Sequence, residues 1–386
     1  MNPRLLAAFA ALACSLMLAP NASAAKGMEL AVQDDAVFVN GLYSGGRIGF
    51  KLADGLNASW VRANVSWAYV VGRDARKKKA PKHITYNWTG YDNVVQFAAS
   101  RGMRVQLALA GPAPAWATGD HKVGHLKPKA GPFKAFAQAA AEHFRGRVTR
   151  YTIWNEPNYV GWITPLNSAA RSYRGLYTRG YAAIKKVDPN AQVLFGETAP
   201  YALKNRATAP LKFVRDVTCA TPNYRKARSS GTLKTDGFAH HPYDFDHPPT
   251  FRYPGADNVT LGTLGRLTSA LGKLKKARLL TTPTGGVPDL YLTEYGYFAR
   301  GKRRVSASKQ GSYLVKAFTM AQKNPRVKQM LQYLLVQPTT KYSSFDTSIA
   351  SRSGHPTAAY KKLAAWAKRA RKAGKITGAS ASAAVR

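Results

Sequence analysis

A chain of 386 residues that is 45% hydrophobic can bury a large core, enough for one big α/β domain or two modest ones. Its two cysteines, Cys14 and Cys219, rule out a disulfide framework and a cysteine-based metal site. Its 58 Lys and Arg against 19 Asp and Glu give a formal charge of +39. The basic runs carry no nucleic-acid motif and no organised stripe, which leaves attraction to acidic polymers or a solubilising surface.

Residues 1–24 read as a signal peptide: Arg4, the apolar run Leu5–Ala19, then the small-residue site Ala22-Ser23-Ala24. The run is short of the roughly 20 residues that a membrane span needs. A secreted chain with cleavage before Ala25 is therefore expected, with Cys219 left as a small core residue at the end of a helix.

From there a short β-rich run followed by an amphipathic helix recurs. Strands are predicted over 37–40, 60–67, 105–110, 148–154, 192–195, 237–240, 290–293 and 328–336. The helices that follow them are predicted over 47–57, 91–101, 133–144, 169–187, 210–218, 261–276, 308–323 and 357–372. Phe133, Phe136, Ala140 and Phe144 have the spacing of one buried helical face, and Asp188-Pro189 and Asn324-Pro325 stop two of the helices. Alternation of this kind makes a parallel sheet, open or closed, and eight pairs favour a closed single-domain (β/α)8 TIM barrel over 25–372. The Ala/Ser/Gly-rich basic tail 373–386 is expected to be frayed.

Active sites of such barrels lie at the C-terminal ends of the strands. Of five glutamates, Glu156, Glu197 and Glu294 each follow an apolar strand immediately, which solvation alone does not explain. Glu156 stands in Trp154-Asn155-Glu156-Pro157-Asn158, where a neighbouring indole would disfavour the charged form and suit a general acid. Glu294 stands in Thr293-Glu294-Tyr295-Gly296 at the seventh strand. Two facing carboxyls can cleave a glycosidic bond, one protonating the leaving oxygen and the other attacking the anomeric carbon. The plainer reading has each Glu capping a helix or pairing with an Arg.

Trp154–Asn158 and Thr293–Gly296 resemble the fourth- and seventh-strand signatures of clan A glycoside hydrolases, and within the clan families 39 and 5, the β-xylosidase and cellulase-type enzymes. The second-strand run 60–67 and His240-His241-Pro242-Tyr243 are similar to the same clan. The resemblance implies a retaining β-glycosidase with Glu156 as acid/base and Glu294 as nucleophile. It implies Arg62 beneath the nucleophile, Asn155 on the sugar 2-hydroxyl, His241 as a substrate or acid/base contact, and Tyr243 bonded to Glu294. It departs from the clan at the eighth strand, where no Trp follows Leu335-Val336, and at Glu197. Three readings stand for Glu197: a substrate contact, a modulator of the acid/base, or a partner of an Arg.

Trp67, Trp88, Trp116, Trp154, Tyr159 and Trp162 fall at strand ends or in the rim loops, where aromatic faces stack on sugars. Trp67 and Trp116 are accordingly read as substrate-binding. No cofactor or metal is expected: adjacent His240 and His241 on a strand point to opposite faces. The expected partner is a carbohydrate, with the basic surface favouring an anionic or cell-wall glycan, and neither nucleic acid nor a membrane span is expected. The chain is read as a monomer, secreted and associated with the cell wall. A rival reading is a binding barrel of the cell surface that holds glycan or polyanion without cleaving it; a nearer one is a transglycosylase.

Overall fold

The computed structural model describes residues 27–227, 231–339 and 345–380. The expected signal peptide lies outside them.

Eight parallel strands close on themselves. They are β1 (Met28–Gln33), β2 (Trp60–Ser66), β3 (Arg104–Ala110), β4 (Arg150–Ile153), β5 (Gln192–Thr198), β6 (Gly237–His240), β7 (Leu290–Leu292) and β8 (Val327–Tyr333). Each pairs with the next, and β8 pairs with β1, Ala31 opposite Leu331. Each strand leads to a helix: α1 (Arg47–Gly55), α2 (Thr89–Ala99), α3 (Ala130–His143), α4 (Leu166–Val187), α5 (Pro210–Thr218), α6 (Gly265–Lys276), α7 (Ala307–Lys323) and α8 (Ala358–Lys372). This is the (β/α)8 barrel that the alternation predicts. Local chemistry sets the helix ends. The Ser306 hydroxyl accepts from Lys309 N at 3.2 Å to start α7, Thr357 does the same for α8, and Pro210 opens α5.

Strand residues alternate between two environments. Outward-facing Val61, Leu107 and Ile153 join the main core beneath the helices, with Phe133, Phe136 and Ala140 of α3 and its C-cap Phe144 fully buried. Two small apolar sets apart from the main core lie among the described strand residues, Ala31–Trp60–Leu331 and Leu194–Ala239–Tyr291. Between them lie Arg62, Gln106, Thr152, Glu197 and Gln329, all fully buried. At the N-terminal end Arg150 forms a two-pronged pair with Glu29, at 2.6 and 3.0 Å, and its guanidinium lies over the Trp60 ring.

Several boundaries differ from the sequence reading. The first strand is Met28–Gln33, not 37–40. Asp34 accepts from Val37 N at 3.3 Å and starts a short helix, Asp35–Phe38, where a strand was expected. β8 ends at Tyr333 rather than 336, because Leu334 takes a left-handed φ of 60° and turns the chain out of the sheet. The tail is not frayed over its described part. Ile376–Thr377 forms β9 and pairs with β1 as Met28↔Ile376 and Glu29↔Thr377. Among the described residues, no helix is long and apolar enough to cross a membrane.

Candidate active site

The C-terminal ends of β4, β5 and β7 bring Glu156, Glu197 and Glu294 together through irregular backbone. Trp154 (φ 68°) and Glu156 (φ 34°) leave β4 in a conformation that L-residues rarely adopt. In β5 the register against β6 shifts between Gly196 and Thr198, so Glu197, at φ 49°, is the extra residue of a bulge. Gly196 makes the bulge feasible: at φ 116°, a Cβ there would lie 2.5 Å from the Ala239 carbonyl. Trp154, Glu156 and Glu197 are thus three non-glycine residues held at positive φ around one cluster.

Arg62 of β2 is the hub. Fully buried, it donates Nη1 to Glu294 Oε1 at 2.9 Å, and Nη2 to Asn155 Oδ1 at 2.8 Å and Glu197 Oε2 at 3.0 Å; Nη1 also meets Gln33. His241, after β6, bridges the carboxyls from the other side. Its Nε2 lies 2.6 Å from Glu197 Oε2, and its Nδ1 lies 3.0 Å from Glu156 Oε1 and 3.6 Å from Glu294 Oε2. Tyr243 donates to Glu294 Oε2 at 3.2 Å, and Thr293 to Glu197 Oε2 at 2.9 Å.

The charges follow from these contacts. Burial works against a charged His241, but Glu294, Glu156 and Glu197 outweigh it and raise its pKa to about 10. Burial likewise opposes the charge on Glu197, and Arg62 and His241 overcome it, lowering its pKa to about 2. At Glu294 burial wins: the pKa is raised, with His241 and Arg62 opposing the rise. His240 is held apart from this cluster. Its Nε2 meets the Val259 carbonyl at 2.9 Å and so carries the proton, its Nδ1 accepts from Thr198, and burial lowers its pKa to about 3. Among the described residues, Glu156, His241 and Glu294 are the one acid and histidine group compact enough to hold a cation. Both ring nitrogens of His241 are engaged by these carboxylates and that of Glu197.

The cluster opens into a cavity of about 450 Å³, lined by Asn155, Glu156, Tyr243 and Glu294, with Asn64 of β2 beside them. Its wall is aromatic: Tyr159, Trp162, Tyr201, Phe245, Phe298, Tyr333 and Phe345, with Arg206 and Arg303 among them. Tyr159 and Trp162 stand where the rim reading puts them. Trp67 and Trp116 do not. Trp67 opens a helical turn after β2 and stacks on Phe136 with centroids 5.3 Å apart, and Trp116 is buried off the cavity, so neither lines it. Trp88 and Trp154 are also core residues. The Trp154 indole packs edge-on against Phe133 and donates to the Trp162 carbonyl, so the group beside the Glu156 carboxyl is His241, not an indole. Arg62, His241 and Glu197 are fully buried and act on the carboxyls rather than lining the cavity. Glu197 is a partner of Arg62, the third of its readings, and it also meets His241, the neighbour of Glu156 on which the second reading would depend. Tyr333 was missed because β8 was drawn three residues too long: an aromatic residue does end that strand. Tyr201, Phe245, Phe298 and Arg303 sit in loops, where no periodicity flags them.

A model of the cellulase family, glycosyl hydrolase family 5, matches residues 48–246, half of the chain. The chain belongs to this family. Asn155, Glu156, His241 and Tyr243 fall within the match, and Glu294 lies beyond it. No curated protein matches this family 5 chain in sequence. Among solved structures, a family 39 glycoside hydrolase from Bacteroides cellulosilyticus WH2 superposes with a TM-score of 0.65 at 16% identity, over 89% of this chain and 64% of that one. A monomeric β-xylosidase from Caulobacter crescentus CB15 gives 0.58 at 17% identity, over 88% and 67%. Xylanase 10B from Thermotoga maritima gives 0.55 at 15%, over 90% and 97%. The likeness is one of fold, and the chain spans 64% of the first enzyme's length.

Proposed function

We propose that this family 5 chain is a secreted retaining glycosidase acting on β-linked glycan, with Glu294 as nucleophile and Glu156 as acid/base. One observation carries the reading: an oxygen of Glu156 and an oxygen of Glu294 lie within 4.8 Å of each other at the mouth of the cavity. Carboxyls about 5–5.5 Å apart attack directly, whereas inversion needs about 6.5–9.5 Å to seat a water between them.

Glu294, held by Arg62 and Tyr243, attacks the anomeric carbon as Glu156 passes its proton to the departing oxygen. Glu156 then takes a proton from the water that cleaves the glycosyl-enzyme. With Oδ1 of Asn155 occupied by Arg62, its NH2 is the group left for a sugar hydroxyl. No step calls on a cofactor. The aromatic wall supports sugar stacking. Arg206, whose partner is the Tyr159 hydroxyl at 2.5 Å, adds a cation that favours acid-bearing or cell-wall glycans. Secretion rests on the signal-like segment 1–24.

Reducing-sugar release from neutral and acidic β-glycans tests the reading. Wild type is expected to cleave at least one, with Glu294→Ala and Glu156→Ala each slower by about 10²–10⁴-fold or more. Retained binding with no release from any glycan would contradict it and favour a binding barrel. Activity indifferent to both substitutions would move the chemistry elsewhere.

A further inference from the structure

Glu197 takes no part in the double displacement, yet it is a fully buried carboxylate on a strained bulge at the centre of the site. We infer that Glu197 is a positioning residue: it keeps His241 doubly protonated, so that the imidazolium pins one oxygen of Glu156 and leaves the acid proton on the other, facing the leaving group. The inference rests on the assignment of Glu156 as acid.

The geometry makes the case. Glu197 Oε2 collects three donors, Arg62 at 3.0 Å, His241 at 2.6 Å and Thr293 at 2.9 Å. The groups facing His241 are Glu156 from β4, Glu197 from β5 and Glu294 from β7; Tyr243 meets the ring edge-on, His240 is its chain neighbour, and Arg62 lies behind the carboxyls. Before reaction the cluster holds two cations, Arg62 and His241, and two anions, Glu197 and Glu294, with Glu156 neutral. After attack Glu294 is an ester and Glu156 is the anion, so the balance is unchanged. The site therefore moves one proton to the leaving oxygen and exchanges the glycosidic bond for a glycosyl–Glu294 bond without changing its buried net charge, a change that a low-dielectric interior would make costly. Without the negative charge of Glu197 the cluster carries a surplus cation, and the nearest relief is loss of the His241 proton. A bare Nδ1 would then accept the Glu156 proton and hold it away from the leaving group.

The test is Glu197→Gln, similar in size and without charge, read by NMR of protein labelled with ¹⁵N-histidine, the His241 signals being assigned with His241→Gln. In wild type both ring nitrogens are expected to stay protonated from pH 6 to pH 9. In Glu197→Gln the titration is expected to fall by about 1–3 pH units, the effect of one close opposite charge. The alkaline limb of kcat/KM is expected to move down with it, and the loss of rate to be larger for poor aryl leaving groups than for dinitrophenolate, which needs no acid. Unchanged His241 titration in Glu197→Gln overturns the inference. If Glu197→Gln does not fold, a wild-type His241 that loses a proton near its ordinary value overturns it, and retention of both protons to pH 9 supports it. The NMR arm is independent of turnover. A shifted His241 with no sugar released from any glycoside removes the glycosidase reading and keeps the role of Glu197 in holding the proton; release with an unshifted His241 removes only that role.

Discussion

Glu294 must be ionised to attack, and burial raises its pKa above the ordinary 4.5 despite Arg62 and His241. As the pH falls through that raised value the nucleophile takes up a proton, so activity is lost on the acid side. The acid limb of kcat/KM, which reports the free enzyme, is accordingly expected above pH 4.5; a limb at or below 4.5 would show that the cations prevail over burial. Glu197 binds its proton more weakly folded than unfolded, so its contribution to stability is complete above about 4.5, declines as the pH falls below that, and is gone once the pH has passed through about 2. At this scale the sequence was partly legible. Glu156, Glu294, Asn155, Arg62, His241 and Tyr243 all meet, because strand-end position and neighbouring residues identify a barrel-mouth side chain. The environment of Glu156 was not legible: its neighbour is set by β6 crossing the barrel, not by the residue two positions back in the chain.

At the scale of elements, the bulge in β5 aims Glu197 into the barrel, and Gly196 is what lets the strand bend there. Gly196→Ala places a methyl 2.5 Å from the Ala239 carbonyl at a φ of 116°. Strain of this kind costs about 1–3 kcal/mol before the backbone clash is added. Urea denaturation is expected to show a loss at the upper end of that range or beyond, together with weaker activity as Glu197 shifts; unchanged stability would mean that the bulge is not under constraint. The bulge has no sequence signature beyond a glycine near a strand end. The other misreadings have physical causes too. β1 was obscured by Glu29, a polar residue in an apolar run that is satisfied by Arg150 across the barrel. β8 was drawn too long because Leu334, Leu335 and Val336 are apolar, although φ at Leu334 has already ended the strand. Trp67 looked like a rim aromatic because it follows β2, but the helical turn that it starts carries it into the packing against α3.

At the scale of the whole molecule, eight strand–helix alternations were readable in the sequence because each helix carries an apolar face with a period near 3.6. The closure of β8 on β1 followed from the count. What the alternation could not reveal is the chemical character of the barrel's inside. A polar column runs from the Arg150–Glu29 pair at one end to the Arg62–Glu197–His241 cluster at the other, assembled from five different strands or their ends. Long-range pairing of this kind leaves no local pattern. It places the reacting carboxyls on a scaffold tied together around the whole barrel, with the aromatic cavity above them.

The central claim is that Glu294 becomes covalently attached to sugar. The most direct measurement is mass spectrometry of the full chain after incubation with 2,4-dinitrophenyl 2-deoxy-2-fluoro-β-glycosides of glucose, xylose, mannose and galactose. With at least one of these, the chain is expected to gain the mass of a single fluorosugar, carried on the peptide that contains Glu294, and Glu294→Ala is expected to gain none. Label on a different carboxylate, or no label from any of the four while a glycan of the same sugar is being cleaved, would contradict the account.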